Sequence, residues 1–294
     1  MRCLLIVTAA TLTITITMPV FAQPWNVSVD ANLTLTQNAY SNNWVGGESG
    51  ALSWTFNSNS FAEKQLHEKV YNKNTLKLFF GQTHNQNMAT KRWAKPVKST
   101  DLIDFESVFR FTLGGFTEPF AAGRIETQFL DASKLENERF LNPVTFTESL
   151  GIAKVLIKQE KQEWTARFGV GLRQHVNRDV LETTGSKRKT QTSNDGGFVF
   201  VTDFKTPLAQ ERITYTGKLS LFKALFFSEA DKLKGQPNEN YWKSPDFNWE
   251  NIFTASITRY LMVNFYVQLL YDKEINLKTR FKQTLALGVT YKLI

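Results

Sequence analysis

The sequence predicts an all-β protein: one antiparallel transmembrane β-barrel of about 12 strands. Three observations carry that prediction. Strand-length stretches alternate between apolar and polar residues. The connections between them sort into a long set and a short set. Finally, 13% of the residues are aromatic while the mean hydropathy is −0.29, so large rings and polar side chains must be interleaved.

Composition removes other classes first. At 42% hydrophobic and 21% charged residues, the 294-residue chain is not disordered by composition. One cysteine, Cys3, cannot build a disulfide framework or a thiolate metal site. Three widely spaced histidines (His67, His84 and His175) leave little material for a zinc centre. No cofactor is expected.

The first element is an export signal, residues 1–22. Met1-Arg2 is a short positive start, Leu4 to Val20 carries no charge, Pro19 breaks a helix, and Val20-Phe21-Ala22 offers small residues for cleavage. Cys3 leaves with it. The chain from Gln23 then holds 34 basic and 27 acidic residues, lowering the formal charge from +8 to +7. Beyond Ala22 no window of about 18 residues is free of charged and polar groups, which excludes a transmembrane helix. An exported chain of this kind is either soluble or a barrel in the outer membrane of a Gram-negative-type bacterium. The domain is expected to span residues 23–294.

The strands follow in order. From Trp25 to Leu35 the odd positions are Trp, Val, Val, Ala, Leu and Leu, and the even positions are polar. Leu52, Trp54 and Phe56 repeat the pattern, as do Ile103, Phe105, Phe109, Phe111 and Leu113. So do Trp164 to Leu172, Ile213 to Leu221, Val263 to Tyr271 and Phe281 to Leu293. Less regular strands are expected near 69–82, 119–130, 143–158, 196–206 and 249–258. The count is even, as single-chain outer-membrane barrels require.

With the first strand pointing up, the upper connections are about 39–49, 83–101, 131–142, 177–195, 228–248 and 273–278. The lower ones are about 59–68, 115–118, 159–162, 207–210 and 259–261. Long loops at one end and tight turns at the other characterise an outer-membrane barrel, with both termini on the periplasmic side. A soluble sandwich has no reason to sort its loops. The polar face carries Glu106, Arg110, Arg124, Glu126, Arg167, Arg173, Lys218 and Lys282, and is expected to face the lumen. Trp25, Trp164, Tyr260 and Tyr291 form a lower aromatic girdle, and Trp249 and Tyr271 an upper one. Gly288, Tyr291 and Leu293 follow a glycine–aromatic–apolar spacing that resembles the final-strand signal read by outer-membrane assembly machinery. Ile294 departs from it, because an aromatic end is more usual.

Several motifs occur in a characteristic order: Asn43 to Glu48, Lys98-Ser99-Thr100-Asp101, Thr127-Gln128-Phe129, Leu141-Asn142-Pro143 and Tyr271-Asp272. Their order and spacing, from about Leu33 to Ile294, resemble the outer-membrane barrel family catalogued as domain of unknown function 3078. The resemblance implies an outer-membrane barrel and no reaction. The basic loop Thr83 to Val97, with Trp93, departs from the family pattern.

Three functional readings remain open. The charged inward face favours passage or binding of a small hydrophilic solute, anionic because the face is net basic. Alternatively, ion pairs around the 106/110 and 124/126 hairpin close the lumen of a structural or envelope-interaction barrel, and Glu106→Ala or Arg110→Ala opens it. The third reading is a hydrolase built on His175, although no nucleophile–base–acid spacing surrounds that residue; the chain is therefore expected not to be an enzyme. Trp44, Gly46 and Gly47 are expected to form a packed plug or lid at the upper mouth. Lys187-Arg188-Lys189 reads as a solvated loop. Outer-membrane lipid, the assembly machinery and a small solute are the expected partners; export removes nucleic acid.

Overall fold

The computed structural model describes residues 24–40, 49–133, 138–181, 188–258 and 261–292. It contains β1 (Asn26–Asn38), β2 (Ala51–His67), β3 (Val70–Asn85), β4 (Val97–Phe111), β5 (Glu118–Thr127), β6 (Leu130–Asp131) and β7 (Arg139–Phe140). These are followed by β8 (Val144–Lys158), β9 (Glu163–Leu181), β10 (Arg188–Leu208), β11 (Ile213–Phe227), β12 (Asp246–Ser256), β13 (Leu261–Tyr271) and β14 (Arg280–Lys292). All but β6 and β7 close one antiparallel barrel of 12 strands, in chain order around the ring. β6 and β7 make a separate two-stranded piece.

Parity fixes the two surfaces. The register places Asn32, Asn57, Phe79, Leu102 and Ile252 among the lumen positions. The opposite parity carries exposed rings and aliphatic chains, among them Leu33, Phe105, Phe168, Phe198, Leu221 and Leu285, the last 71% exposed. Water does not tolerate an apolar surface that runs round the whole molecule, whereas hydrocarbon does. Closing the sheet leaves no edge of unpaired backbone at hydrocarbon depth.

Aromatic rings of neighbouring strands touch on this outer wall. Trp164, Phe204, Tyr215, Phe253 and Phe265 form a chain with centroids 5.9, 6.0, 4.9 and 6.2 Å apart. Nearer the other end Phe247 stacks on Tyr271 at 5.8 Å. Trp25 and Trp249 are exposed, and Tyr260 lies outside the described residues. The outer wall is not uniformly apolar. Asn72 donates to Ser107 Oγ and to the Val108 carbonyl, and Asn74 donates to Asn72. These groups saturate one another, as polar groups facing lipid must.

The turns correct two expected boundaries. Residues 59–67 are strand, and the first lower connection is only Glu68 and Lys69. The expected loop 177–195 is mostly strand, because β9 and β10 continue upward as a paired ribbon to Leu181 and Arg188. Arg188 and Lys189 therefore lie in a strand, not a loop; Lys187 is outside the described residues. β1 starts and β14 ends at the short-turn end.

Two lumen-side glycines permit a close approach. Gly151 and Gly169 are cross-strand partners. A Cβ on Gly169 would stand 2.1 Å from the Leu150 carbonyl oxygen, and one on Gly151 would stand 2.2 Å from that of Phe168. Closure is uneven. Among the described residues, β1 pairs with β14 at residues 30–33, opposite 289–292, whereas β1 pairs with β2 along its whole length.

The expected signal, residues 1–22, and the mouth residues Trp44, Gly46 and Gly47 lie outside the described residues, as does Leu293. Gly288 and Tyr291 fall within β14.

Candidate functional site: the barrel lumen

Each expected charged residue occupies a lumen position; Arg110 and Arg124 find their acids on the β4–β5 hairpin, whereas Glu106 is answered from other strands. Glu106, on β4, accepts from Arg167 of β9 at 2.9 Å and from Lys218 of β11 at 2.7 Å. Arg124, on β5, binds Asp104 through Nε at 2.7 Å and Nη2 at 3.0 Å, and reaches Glu126 at 2.9 Å. Lys77 of β3 pairs with Glu250 of β12. Arg110 stands apart, 2.7 Å from Glu118 near the short-turn end. Arg173 holds Asp195 and reaches Asp246 at 3.0 Å. Lys282 donates to Thr100 Oγ1 at 2.8 Å.

Two of these pairs span the lumen. In the ring order, β4 and β11 are five places apart, and β3 and β12 are also five places apart. Diametric opposition would be six. Side chains from facing walls therefore meet at one level, forming a septum. Asp104, Glu106, Arg167 and Glu250 are buried, Asp104 and Glu250 each 4% exposed, and the lysines are half-buried. Buried charges persist only when paired and hydrogen-bonded, and here each acid has at least one cation.

Lys77, Asp104 and Glu250 were not singled out in the sequence. The missing signal was parity: Asp104 alternates with Ile103 and Phe105, and extending the same count along β3 and β12 reaches Lys77 and Glu250. Pairing across the ring has no signature in local sequence.

Below the septum, towards the short-turn end, a cavity of about 1390 Å³ opens. Its roof is Lys77, Glu106, Arg167, Lys218 and Glu250, and its mouth includes Gln159, Gln162 and Thr258. Eight basic and seven acidic side chains line it. The positive excess expected of the inner face is thus almost cancelled at this level. Above the septum, Phe79 packs edge-on to Tyr266 at 5.9 Å, and Arg173 lies over the Phe222 ring at 3.6 Å.

His175 is held near the long-loop end. Its Nδ1 is 3.1 Å from Thr145 Oγ1, and its Nε2 is 3.7 Å from Asp195 Oδ1. The row of hydroxyl, imidazole and carboxylate has the order of an acyl-transfer triad. Asp195, however, spends both oxygens on Arg173, and 3.7 Å is beyond hydrogen-bond reach.

Three of the ordered motifs, at 98–101, 127–129 and 141–143, converge on one rim structure. Asp101 accepts from the backbone N–H of Phe129 and Leu130 at 2.7 and 2.8 Å. Lys98 donates to Gln128, and Gln128 donates to the Asn142 carbonyl. Asn142, fully buried, donates to Asp131 and Asn177 and accepts from Arg178 N–H. Burial alone would raise the Asp131 pKa, but hydrogen bonds from Ser133 and Asn142 and the Arg139 guanidinium hold it below the usual carboxylate range. These motifs pin the β5–β8 connection to β9. Their work is architectural.

A closed ladder, an apolar outer wall and a charged lumen define a transmembrane β-barrel of the outer-membrane type. The family described as "Protein of unknown function (DUF3078)" matches residues 35–132, in agreement with the resemblance read from the motifs, over the first third of the chain. No curated protein matches the sequence. Among solved structures, the translocator domain of autotransporter NalP from Neisseria meningitidis is similar at 8% identity and TM-score 0.37, covering 90% of this chain and 86% of that one. The COG4313 outer membrane channel from Pseudomonas putida F1 is similar at 13% identity and TM-score 0.39, covering 94% and 96%. The barrel assignment itself rests on the strand ladder of this chain.

Proposed function

We propose that this outer-membrane barrel binds a small hydrophilic solute in a blind vestibule below a closed septum, and that it conducts no ions in this state. One observation carries the reading: Lys77–Glu250 and Glu106–Lys218 join facing walls at one level. A wet channel would keep such groups apart and hydrated. The short-turn end is taken to face the periplasm, with both chain termini there. The near balance of lining charge argues against a general anion filter. No reaction is assigned, because Arg173 occupies the carboxylate that His175 would need.

The test is cysteine accessibility in vesicles of one orientation, with Cys3 replaced by serine. Thr216→Cys reports the vestibule, which Thr216 lines. Thr83→Cys reports the lumen above the septum, where Thr83 now bonds Ser53. A membrane-impermeant thiol reagent added at the short-turn side should label position 216 and spare position 83. Labelling of both from that side contradicts the septum; labelling of neither contradicts the vestibule.

A further inference from the structure

The vestibule has two unlike halves. The contiguous strands β11 to β14, β1 and β2 form one half of the ring, and β3 to β10 the other. Into the cavity the first half presents mostly uncharged hydrogen-bonding groups, including Asn32, Asn57, Asn59, Thr254 and Asn264; Asp30 and Glu63 are its acids below the septum. The second half presents Lys73, Arg110, Lys158 and Lys205, with the acids Glu160, Glu163 and Asp203.

Hydrogen-bonding capacity is left over on the first half. Asn32 is 4% exposed, and its Nδ2 has no partner among the described residues; the Oδ1 of Asn59 has none either. A buried amide group without a partner costs about 1–3 kcal/mol, so such groups are rare unless a ligand or water answers them.

Positive charge is left over on the second half. Lys73 is shared by Glu63 and Glu163, and Arg110 has Glu118. Lys158 and Lys205 have no carboxylate at ion-pair distance among the described residues. They lie instead against rings: Lys158 Nζ is 5.1 Å from the centre of Tyr71, and Lys205 Nζ is 5.9 Å from that of Phe61. Lys73 reaches the same Phe61 ring at 5.8 Å, although β3 and β10 stand five places apart. Cations from facing walls, Lys73 and Lys205, thus converge on one aromatic ring inside a cavity. A cation–ring contact at an open site is worth about 0.5–1 kcal/mol, less than the charge-assisted hydrogen bond an anion would offer.

We propose that the vestibule is a binding site for a small acidic saccharide, a conclusion that rests on the vestibule reading above. Ring hydroxyls meet Asn32, Asn57, Asn59 and Asn264, and the carboxylate or phosphate meets Lys158 and Lys205. Phe61, half-buried on the vestibule wall, supplies a flat apolar face for the sugar's C–H surface. A bare inorganic anion would leave the amide wall unused, and a neutral sugar would leave the lysines unused.

Isothermal titration of the refolded full barrel in detergent tests this with four probes: glucose, glucuronate, glucose 6-phosphate and inorganic phosphate. The acidic sugars should bind about tenfold or more tightly than either glucose or phosphate. In Lys158→Gln/Lys205→Gln their advantage over glucose should disappear. In Asn32→Ala/Asn59→Ala sugar binding should weaken and phosphate binding should not. Heat-modifiable gel mobility verifies folding of each variant. Phosphate binding as tightly as glucose 6-phosphate overturns the proposal. So does silence from every probe while Thr216→Cys is labelled, a result that leaves the vestibule itself standing. Silence with Thr216→Cys unlabelled overturns both.

Discussion

Glu106 accepts from Arg167, a quarter of the ring away, at 2.9 Å and from Lys218 on the far wall at 2.7 Å. Removing it leaves two buried cations without their principal partner, which costs about 3–5 kcal/mol for a buried pair. Arg110 holds one partly exposed acid near the open end, so its loss strands a single charge that water can reach and should cost about 1–3 kcal/mol. Urea unfolding in detergent should therefore rank Glu106→Ala below Arg110→Ala; equal midpoints would contradict the septum geometry. The pairing partners were not legible in the sequence, because Lys77 and Glu250 are 173 positions apart and only closure of the ring brings them together. The lumen facing of Glu106 and Arg124 was legible, because alternation alone sets it. A second residue offers a pH test. Partial desolvation of its carboxyl, reinforced by the Asp272, Asp246 and Asp195 carboxylates and opposed by Arg173, pushes the Glu274 pKa up to about 7. An acid whose folded pKa is raised costs stability once pH exceeds its unfolded pKa, and the cost stops growing above the folded one. Glu274 is exposed, so solvent screens that cost and the titration is the cleaner readout. Carboxyl carbon NMR should place Glu274 near 7, and Asp272→Asn should lower it. An ordinary glutamate titration, unchanged in that variant, would contradict the assignment.

Elements differ in how firmly the ladder holds them. β9 and β10 pair from Glu163 to Leu181, whereas, among the described residues, β1 meets β14 at residues 30–33. Backbone amides of β14 between residues 281 and 288 pair with β13 and have no strand partner in β1. Local opening follows the fewest cooperative bonds. Hydrogen exchange should therefore be fastest, among the barrel strands, along the β1–β14 seam and slowest along β9 and β10. Uniform protection round the ring would contradict the uneven closure. The strand count was legible because period-2 alternation survives in even the less regular segments. The two misplaced boundaries have a common cause. Residues 59–67, Asn-Ser-Phe-Ala-Glu-Lys-Gln-Leu-His, keep their strand although the outer face there carries Ser60, Ala62 and Lys64, so alternation of hydropathy fades where the ladder does not. The β9–β10 ribbon rises beyond β8, whose pairing with β9 ends at Val144. Its polar residues on both faces read as a loop because neither lipid nor core selects them.

At the scale of the molecule, the same alternation that reconciles many aromatic rings with a negative mean hydropathy divides the barrel into a lipid-facing wall and a charged interior. The interior is then divided again by the septum into a vestibule and a packed upper half. A 12-stranded barrel is wide enough for water if its walls carry small residues, and narrow enough for long side chains to meet across it. Here Lys, Arg and Glu occupy the narrowing. The basic excess of the chain does not translate into a positive vestibule, because acids from β1, β2, β4, β9, β10 and β12 answer the cations there. The most direct measurement of this account is ionic conductance of the refolded barrel in a planar lipid bilayer, for the wild-type chain and for Glu106→Ala/Glu250→Ala. A sealed septum gives a silent wild type and stepwise conductance once both cross-lumen pairs are removed. Steady wild-type conductance, unchanged in the double variant, would contradict it.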